Sequence, residues 1–354
     1  MVYKKCTRAE YPDMINMLYK AFEFDPNDEF FTGELASRSP HPDHALDSEI
    51  EKHYIAITDG KVVGAVGAYP STLYVSENKR GGKKLEIKAS GIGQVSCIQD
   101  YRGRGVMSDL MKIAIDDMKK SGVHLSVLDG DRTRYGHFGY DYAGTIVSFN
   151  IQKKRLSNFL SDGHISVKKA DISDYPALNE LISLSPSYVL RDKRDWEKNF
   201  IRKPYKWLIS ESAAGKGFIG IHFNNIVEAQ GDPEVVIKLI YTHMEENNLD
   251  DISLSYPEAN YNGDSLYGKL WEISSGFSSI CSGLMVFISP DSLLEELSAI
   301  LGEHGARAKT LSEKNKELLL KRLFGNRSQF ESDELSAFGG IAPLIYWIPK
   351  VDAA

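Results

Sequence analysis

The stretch GIGQVSCIQDYRGRGVMSDLMKIAIDDMKK, Gly91–Lys120, decides the reading of this chain. Its apolar run Ile92–Ile98 is strand-like and leads into Asp100-Tyr101-Arg102-Gly103-Arg104-Gly105. The following segment, Val106–Lys120, has helical period: Met107, Leu110, Met111, Ala114 and Met118 share one face, a stripe that belongs in a core. The order is strand, glycine-rich turn, helix. Gly103 and Gly105 let the backbone approach a ligand closely, and the opening turn of a helix presents unpaired N–H groups at the positive end of its dipole. Such a place binds an anion, and the arginines beside it, Arg102 and Arg104, point to phosphate.

Glycine-rich turns serve several ligand classes, and details discriminate among them. A Walker A loop needs Gly-Lys-Ser/Thr, and a Rossmann fingerprint needs G-x-G-x-x-G with an acidic residue about 20 positions on; neither is present. The stretch instead resembles motif A of the GNAT acyltransferase superfamily, Q/R-x-x-G-x-G/A. Arg102 and Gly105 fit, and Met107 stands where the last small residue is usual, as in the Eis-type branch. The resemblance implies that Arg102, Gly103, Arg104, Gly105, Val106 and Met107 hold the pyrophosphate of acetyl-CoA. It also implies that Val95, Ser96, Cys97 and Ile98 pair with the pantetheine arm, with the N–H of Cys97 as donor to the thioester carbonyl. Further on, DGDRTRYGHFGYDYAG (Asp129–Gly144) is similar to the segment by which Eis-type tandem acetyltransferases place a catalytic tyrosine, which falls on Tyr135. Phe138 and Tyr140 read as core aromatics.

Composition sets the outer bounds. A chain of 354 residues has room for two domains at about 150 residues each. A net charge of −7 argues against nucleic acid and suits a cationic amine acceptor. Cys6, Cys97 and Cys281 are far apart and odd in number, which reads as free thiols in a reducing, cytoplasmic setting. No run approaches the ~18 apolar residues of a membrane span. His41 and His44 lack a third ligand nearby, so no metal is expected.

Outward from the central stretch, Val2–Lys5 is a short strand, and Thr7 with Glu10 signals a helix running to about Phe24. Tyr54–Thr58 and Val62–Tyr74 flank the hairpin signal Asp59-Gly60-Lys61. Gly81-Gly82 marks another turn before Leu85–Ser90, and a strand at Val123–Leu128 follows the helix. From about His164 the order restarts at a spacing of about 120 to 150 residues, which reads as a duplicated domain. Between strand and helix this second copy carries Glu228-Ala229-Gln230-Gly231-Asp232-Pro233, without arginine and with two acids that repel phosphate. It therefore reads as a non-binding relative forming one wall of the acceptor cleft, and Gln152–Gly163 as a solvated linker. Helical spacing in Ser292–Leu301 and Leu311–Leu323, then apolar Phe338–Val351, describe a tail docking on the body.

The expected fold is α+β: two tandem GNAT-like domains, each a mixed central sheet flanked by helices, over 1–151 and 164–290, with a short helical tail over 291–354. The expected activity is transfer of acetyl from acetyl-CoA to a primary amine of a small, polycationic acceptor, with Tyr135 as general acid. Eis-type proteins use their terminal carboxylate as a base from a larger third domain; here Ala354 ends a shorter tail and competes for that role with Asp129 and water. A catalytically silent CoA-binding module is the alternative. Homo-oligomerisation is left open.

Overall fold

The computed structural model describes residues 1–25, 38–76, 84–160, 165–185, 187–201, 205–212, 215–258 and 265–324. The turn at Gly81-Gly82, the run Phe338–Val351 and Ala354 lie outside them. The first half contains β1 (Val2–Lys5), a helix Tyr11–Phe22, a short helix Asp47–Ile50, then β2 (His53–Thr58), β3 (Lys61–Ser76) and β4 (Lys84–Cys97). The helix Val106–Lys120 follows, then β5 (Leu125–Leu128), a helical turn Arg132–Tyr135 and β6 (Asp141–Gln152). Asp59 and Gly60 both have positive φ, 49° and 71°, as a tight hairpin between β2 and β3 requires.

Two local expectations shift. Glu10 bonds the Thr7 N–H at 3.2 Å, yet the helix starts only at Tyr11, with Pro12 in its first turn, and stops at Phe22 where Glu23 turns left-handed at φ 57°. Leu85–Ser90 and Ile92–Ile98 are one strand, whose pairing with β3 runs unbroken through Gly91 and is interrupted only by a bulge inside the second run. The register runs Gly67↔Gly93 and then Ala65↔Ser96, so β4 carries one extra residue there, and Gln94 takes φ 51°.

The second half repeats the plan. It contains β7 (Val167–Lys169), a helix Tyr175–Ile182, β8 (Ser187–Val189), a helix Lys193–Ile201, β9 (Tyr205–Ser212), β10 (Gly215–His222) and β11 (Asn225–Gly231). A helix Pro233–Glu246, β12 (Asp251–Pro257), a helix Ser265–Ile273 and β13 (Gly276–Phe287) complete it. Glu228–Gly231 thus lies within a strand, and only Asp232 occupies the strand-to-helix junction. The expected solvated linker is also folded: Lys153–Leu156 is helical, Leu156 is fully buried, and Arg155 donates to the carbonyls of Ile273 and Glu272 at 3.1 and 2.8 Å.

The described strands form one sheet in the order β1-β2-β3-β4-β5-β13-β6-β12-β11-β10-β9-β7, with β8 paired on the outer end of β3. The two copies have exchanged their last strands. β13 of the second copy lies antiparallel against β5, with Leu284 opposite Leu128, and β6 of the first lies antiparallel against β12, with Ile151 opposite Ile252. β6 and β13 pair with each other at the centre.

The tail helices Pro290–Glu296, Ser298–Leu301, Gly305–Lys314 and Lys316–Phe324 cover the sheet of the first half. Leu293, Leu297, Leu301, Leu319, Leu323 and Phe324 pack there with Leu73, Ile87 and Leu125. Each fully buried leucine stabilises the fold by roughly 1.5–3 kcal/mol before entropy is counted. Asp141, almost wholly buried, binds Arg132 and, at 2.9 Å, Lys321 of the last helix.

Candidate active site

The turn Gly103–Gly105 keeps both glycines at positive φ, 75° and 81°, a conformation that costs an L side chain about 1–2 kcal/mol. Gly105 is the N-cap of the helix Val106–Lys120, and no side chain caps that end. The first-turn amides therefore face outward with the helix dipole behind them. In front of them lies a cavity of about 710 Å³, lined by Val95, Ser96 and Cys97 of β4, by Tyr101–Gly103 and Gly105–Ser108, by Ala21 and Phe22, and by Arg134. Arg102 donates to the carbonyls of Cys97 at 3.2 Å and Ala21 at 3.4 Å, tying the turn to the strand and to the end of the first helix. Arg104 stacks on Tyr101, 5.0 Å from its centroid. Ile98 packs nearby against the core and does not line the cavity.

β4 and β5 are parallel neighbours only from Ala89↔Leu125 to Gly91↔Val127, and beyond Gly91 they part. Ile98 donates to Val63 O at 3.0 Å, so the adjacent pair Gly64↔Cys97 is of the non-bonded kind. The N–H of Cys97 consequently points away from β3, toward the split. The Cys97 thiol is pushed up by burial, and its sulfur contacts Ile98 O at 3.6 Å, which makes it a poor nucleophile.

Tyr135 ends the turn Arg132–Tyr135, whose N-cap Asp131 accepts from the Thr133 N–H at 2.8 Å. Only 7% of it is exposed, in the cluster that includes Val106 and Leu110, next to the cavity and not on its lining. Its ring lies so close over Gly130 that a Cβ there would meet Cε2 at 2.6 Å. Burial raises the phenol pKa, so it keeps its proton at neutral pH. Tyr140 is core, bonded to Ser126 at 2.7 Å. Asp129 is exposed at the end of β5, and Ala354 is outside the described residues.

The second copy differs at the equivalent point. Asp232 caps the helix Pro233–Glu246 by accepting from the Glu234 N–H at 2.9 Å, and Pro233 removes one amide. Glu228 faces inward and pairs with Arg191 at 2.9 Å, each 1% exposed. An anion meets a carboxylate here instead of open amides.

The acetyltransferase (GNAT) domain pattern matches residues 2–143. Residues 2–143 belong to the GNAT acetyltransferase family. An uncharacterised N-acetyltransferase of Streptomyces coelicolor is 32% identical over 95 residues, 27% of this chain and 22% of that protein. Another, of Streptomyces avermitilis, is 31% identical over 104 residues, 29% of this chain and 24% of that protein. The matched stretch thus spans about a quarter of each relative. Among solved structures, a probable N-acyltransferase of Enterococcus faecalis superposes with a TM-score of 0.63 at 18% identity over 83% of this chain and 74% of its own. Eis1 of Mycobacterium abscessus gives 0.56 at 15% identity, over 83% and 75%. The shared fold extends through both copies.

The GNAT domain also holds residues that motif reading misses. Arg134 and Ser108 line the cavity with the phosphate turn, brought there by the fold from outside the glycine motif. The bulge residue Gln94 accepts from Ser39 at 2.6 Å and Tyr69 at 2.8 Å and lies 3.0 Å from Nε2 of His53. His53 has no exposed surface, contacts Ile50 O through Nδ1 at 3.1 Å, and is driven down to a pKa of about 4 by burial. No sequence spacing announces this cluster, since its members come from four separate segments.

Proposed function

We propose that the chain is an acetyl-CoA-dependent N-acetyltransferase that moves the acetyl group directly to a primary amine of a small acceptor. One observation carries this: an uncapped helix N-terminus at Gly105 beside a cavity of about 710 Å³ that follows Val95–Cys97. Amides and arginines there suit a diphosphate, and the open strand edge suits the amide groups of a pantetheine arm.

In this mechanism the acceptor loses a proton, its nitrogen attacks the thioester carbonyl carbon, the carbon–sulfur bond breaks and an amide forms. The Cys97 N–H donates to the carbonyl oxygen as charge develops. Tyr135 gives its proton to the departing thiolate and is restored by the second proton that the nitrogen sheds as the amide forms. Asp129, the Ala354 carboxylate or a water takes the proton from the amine. Three free cysteines support a cytoplasmic setting.

Arg102→Glu is expected to abolish acetyl-CoA binding in calorimetry; unchanged affinity would overturn the assignment of the turn. Thiol release from acetyl-CoA across an amine panel separates an enzyme from a silent CoA-binding module, which would bind and release nothing.

A further inference from the structure

We propose that the acceptor carries a carboxylate beside its amine, held between the two halves of the protein by Lys52 and Lys198. The inference rests on the acetyltransferase reading and extends it to the acceptor.

A second cavity, of about 120 Å³, begins where the strands part. Gly91 and Val127, the last paired residues of β4 and β5, both line it, as do Tyr69, Pro70 and Ser71 of β3. The opposite wall comes from the second copy: Val189, Arg191, Asp195, Lys198 and Asn199. Val95 of the first cavity lies four positions beyond Gly91 on the same strand, at most about 13 Å away, so both cavities open onto the region where β4 and β5 part.

The lining is cationic although the whole chain is acidic. Among the described residues Arg38, Lys52, Arg191 and Lys198 line it with Glu49 and Asp195, and Arg191 is paired behind the wall with Glu228. The two lining carboxylates are already engaged: Glu49 by Arg194 at 3.1 Å and Lys198 at 3.6 Å, and Asp195 by Lys198 at 3.2 Å. The Lys52 ammonium has no hydrogen-bond or ion-pair partner among the described residues. Its pKa is lowered by burial and then by the charge of Lys198, which faces the same space from the opposite half, and the carboxylates of Asp195, Glu49 and Asp192 offset this only in part. An anion between the two ammonium groups relieves both the desolvation and the repulsion. The global charge of −7 and the sign of this wall thus point to different acceptors, and the wall is the local observation.

The test uses the full chain with acetyl-CoA and matched acceptors: glycine and glycinamide, β-alanine and β-alaninamide, and 1,3-diaminopropane. The carboxylates are expected to exceed their amides in kcat/KM by roughly tenfold or more, the worth of one charge-assisted hydrogen bond. Lys52→Gln should pull that ratio toward one with acetyl-CoA affinity kept, and Lys52→Arg should restore it. Amides or the diamine reacting as fast as the carboxylates, in the wild type, would refute the proposal while leaving the enzyme reading intact. Absence of thiol release with every amine would instead sink the enzyme reading. In that event, calorimetric titration of β-alanine decides the site: binding to wild type that Lys52→Gln removes upholds it, and no binding refutes it.

Discussion

Replacing Gly105 by alanine separates ligand binding from folding. The position has φ 81° and ψ 0°, and an added Cβ meets nothing within 4 Å, so the cost in the free protein is conformational alone. A left-handed L residue costs about 1–2 kcal/mol, against the ~5–15 kcal/mol of a typical native state, so the variant stays folded. Relaxation of that strain rotates the amides of Val106 and Met107 away from a bound diphosphate. Each hydrogen bond to a charged group is worth about 1.5–3 kcal/mol, so losing one weakens binding roughly 10- to 150-fold. Calorimetry with acetyl-CoA gives the affinity and thermal unfolding gives the stability. Gly60→Ala is the control: its φ is 71°, its surroundings are equally open, and it lies in the distant β2–β3 hairpin. It should lose comparable stability with no change in affinity. If Gly105→Ala binds acetyl-CoA as the Gly60 variant does, the helix terminus is not the diphosphate site.

Tyr135→Phe should lower kcat by about 10²–10⁴ with acetyl-CoA affinity preserved, and equal losses in both would make Tyr135 a packing residue. His53 has a folded pKa near 4 against an ordinary value near 6.5, so its neutral form stabilises the fold fully above pH 6.5 and that contribution fades as pH falls toward 4. The whole effect is about 3 kcal/mol, and His53→Gln should flatten the acid side of the urea-unfolding curve in that window; parallel curves would contradict it. Arg191→Met leaves Glu228 buried without its ion-pair partner and should cost about 3–5 kcal/mol, much of it recovered when Glu228→Leu is added. A double variant no more stable than the single one would show that the charge is not the cause.

The binding turn was legible because its chemistry is local: Gly103, Gly105 and the helical stripe from Met107 to Met118 lie within one short stretch. The hairpin at Asp59-Gly60 and the restart of the strand order were legible for the same reason. The bulge was not, since Gln94 is held in its left-handed conformation by Ser39, His53 and Tyr69, partners that no local pattern connects. Glu228 looked like a loop acid because the residue that neutralises it, Arg191, stands far upstream. Strand exchange escapes periodicity altogether, as an apolar pattern marks which face of a strand is buried and not which neighbour it pairs with. The charge of the second cavity also arises from pairing the two copies.

The exchanged strands fix an order of events on the ribosome. β5 leaves the exit tunnel with one edge bare, and the segment that covers it, Gly276–Phe287, is translated almost 150 residues later. At ~5–20 residues per second that interval is roughly 7–30 s. The N-terminal half is thus a nascent chain with an open β-edge until the second half has nearly all emerged, a stretch during which a chaperone or a slow codon would decide the yield of native protein.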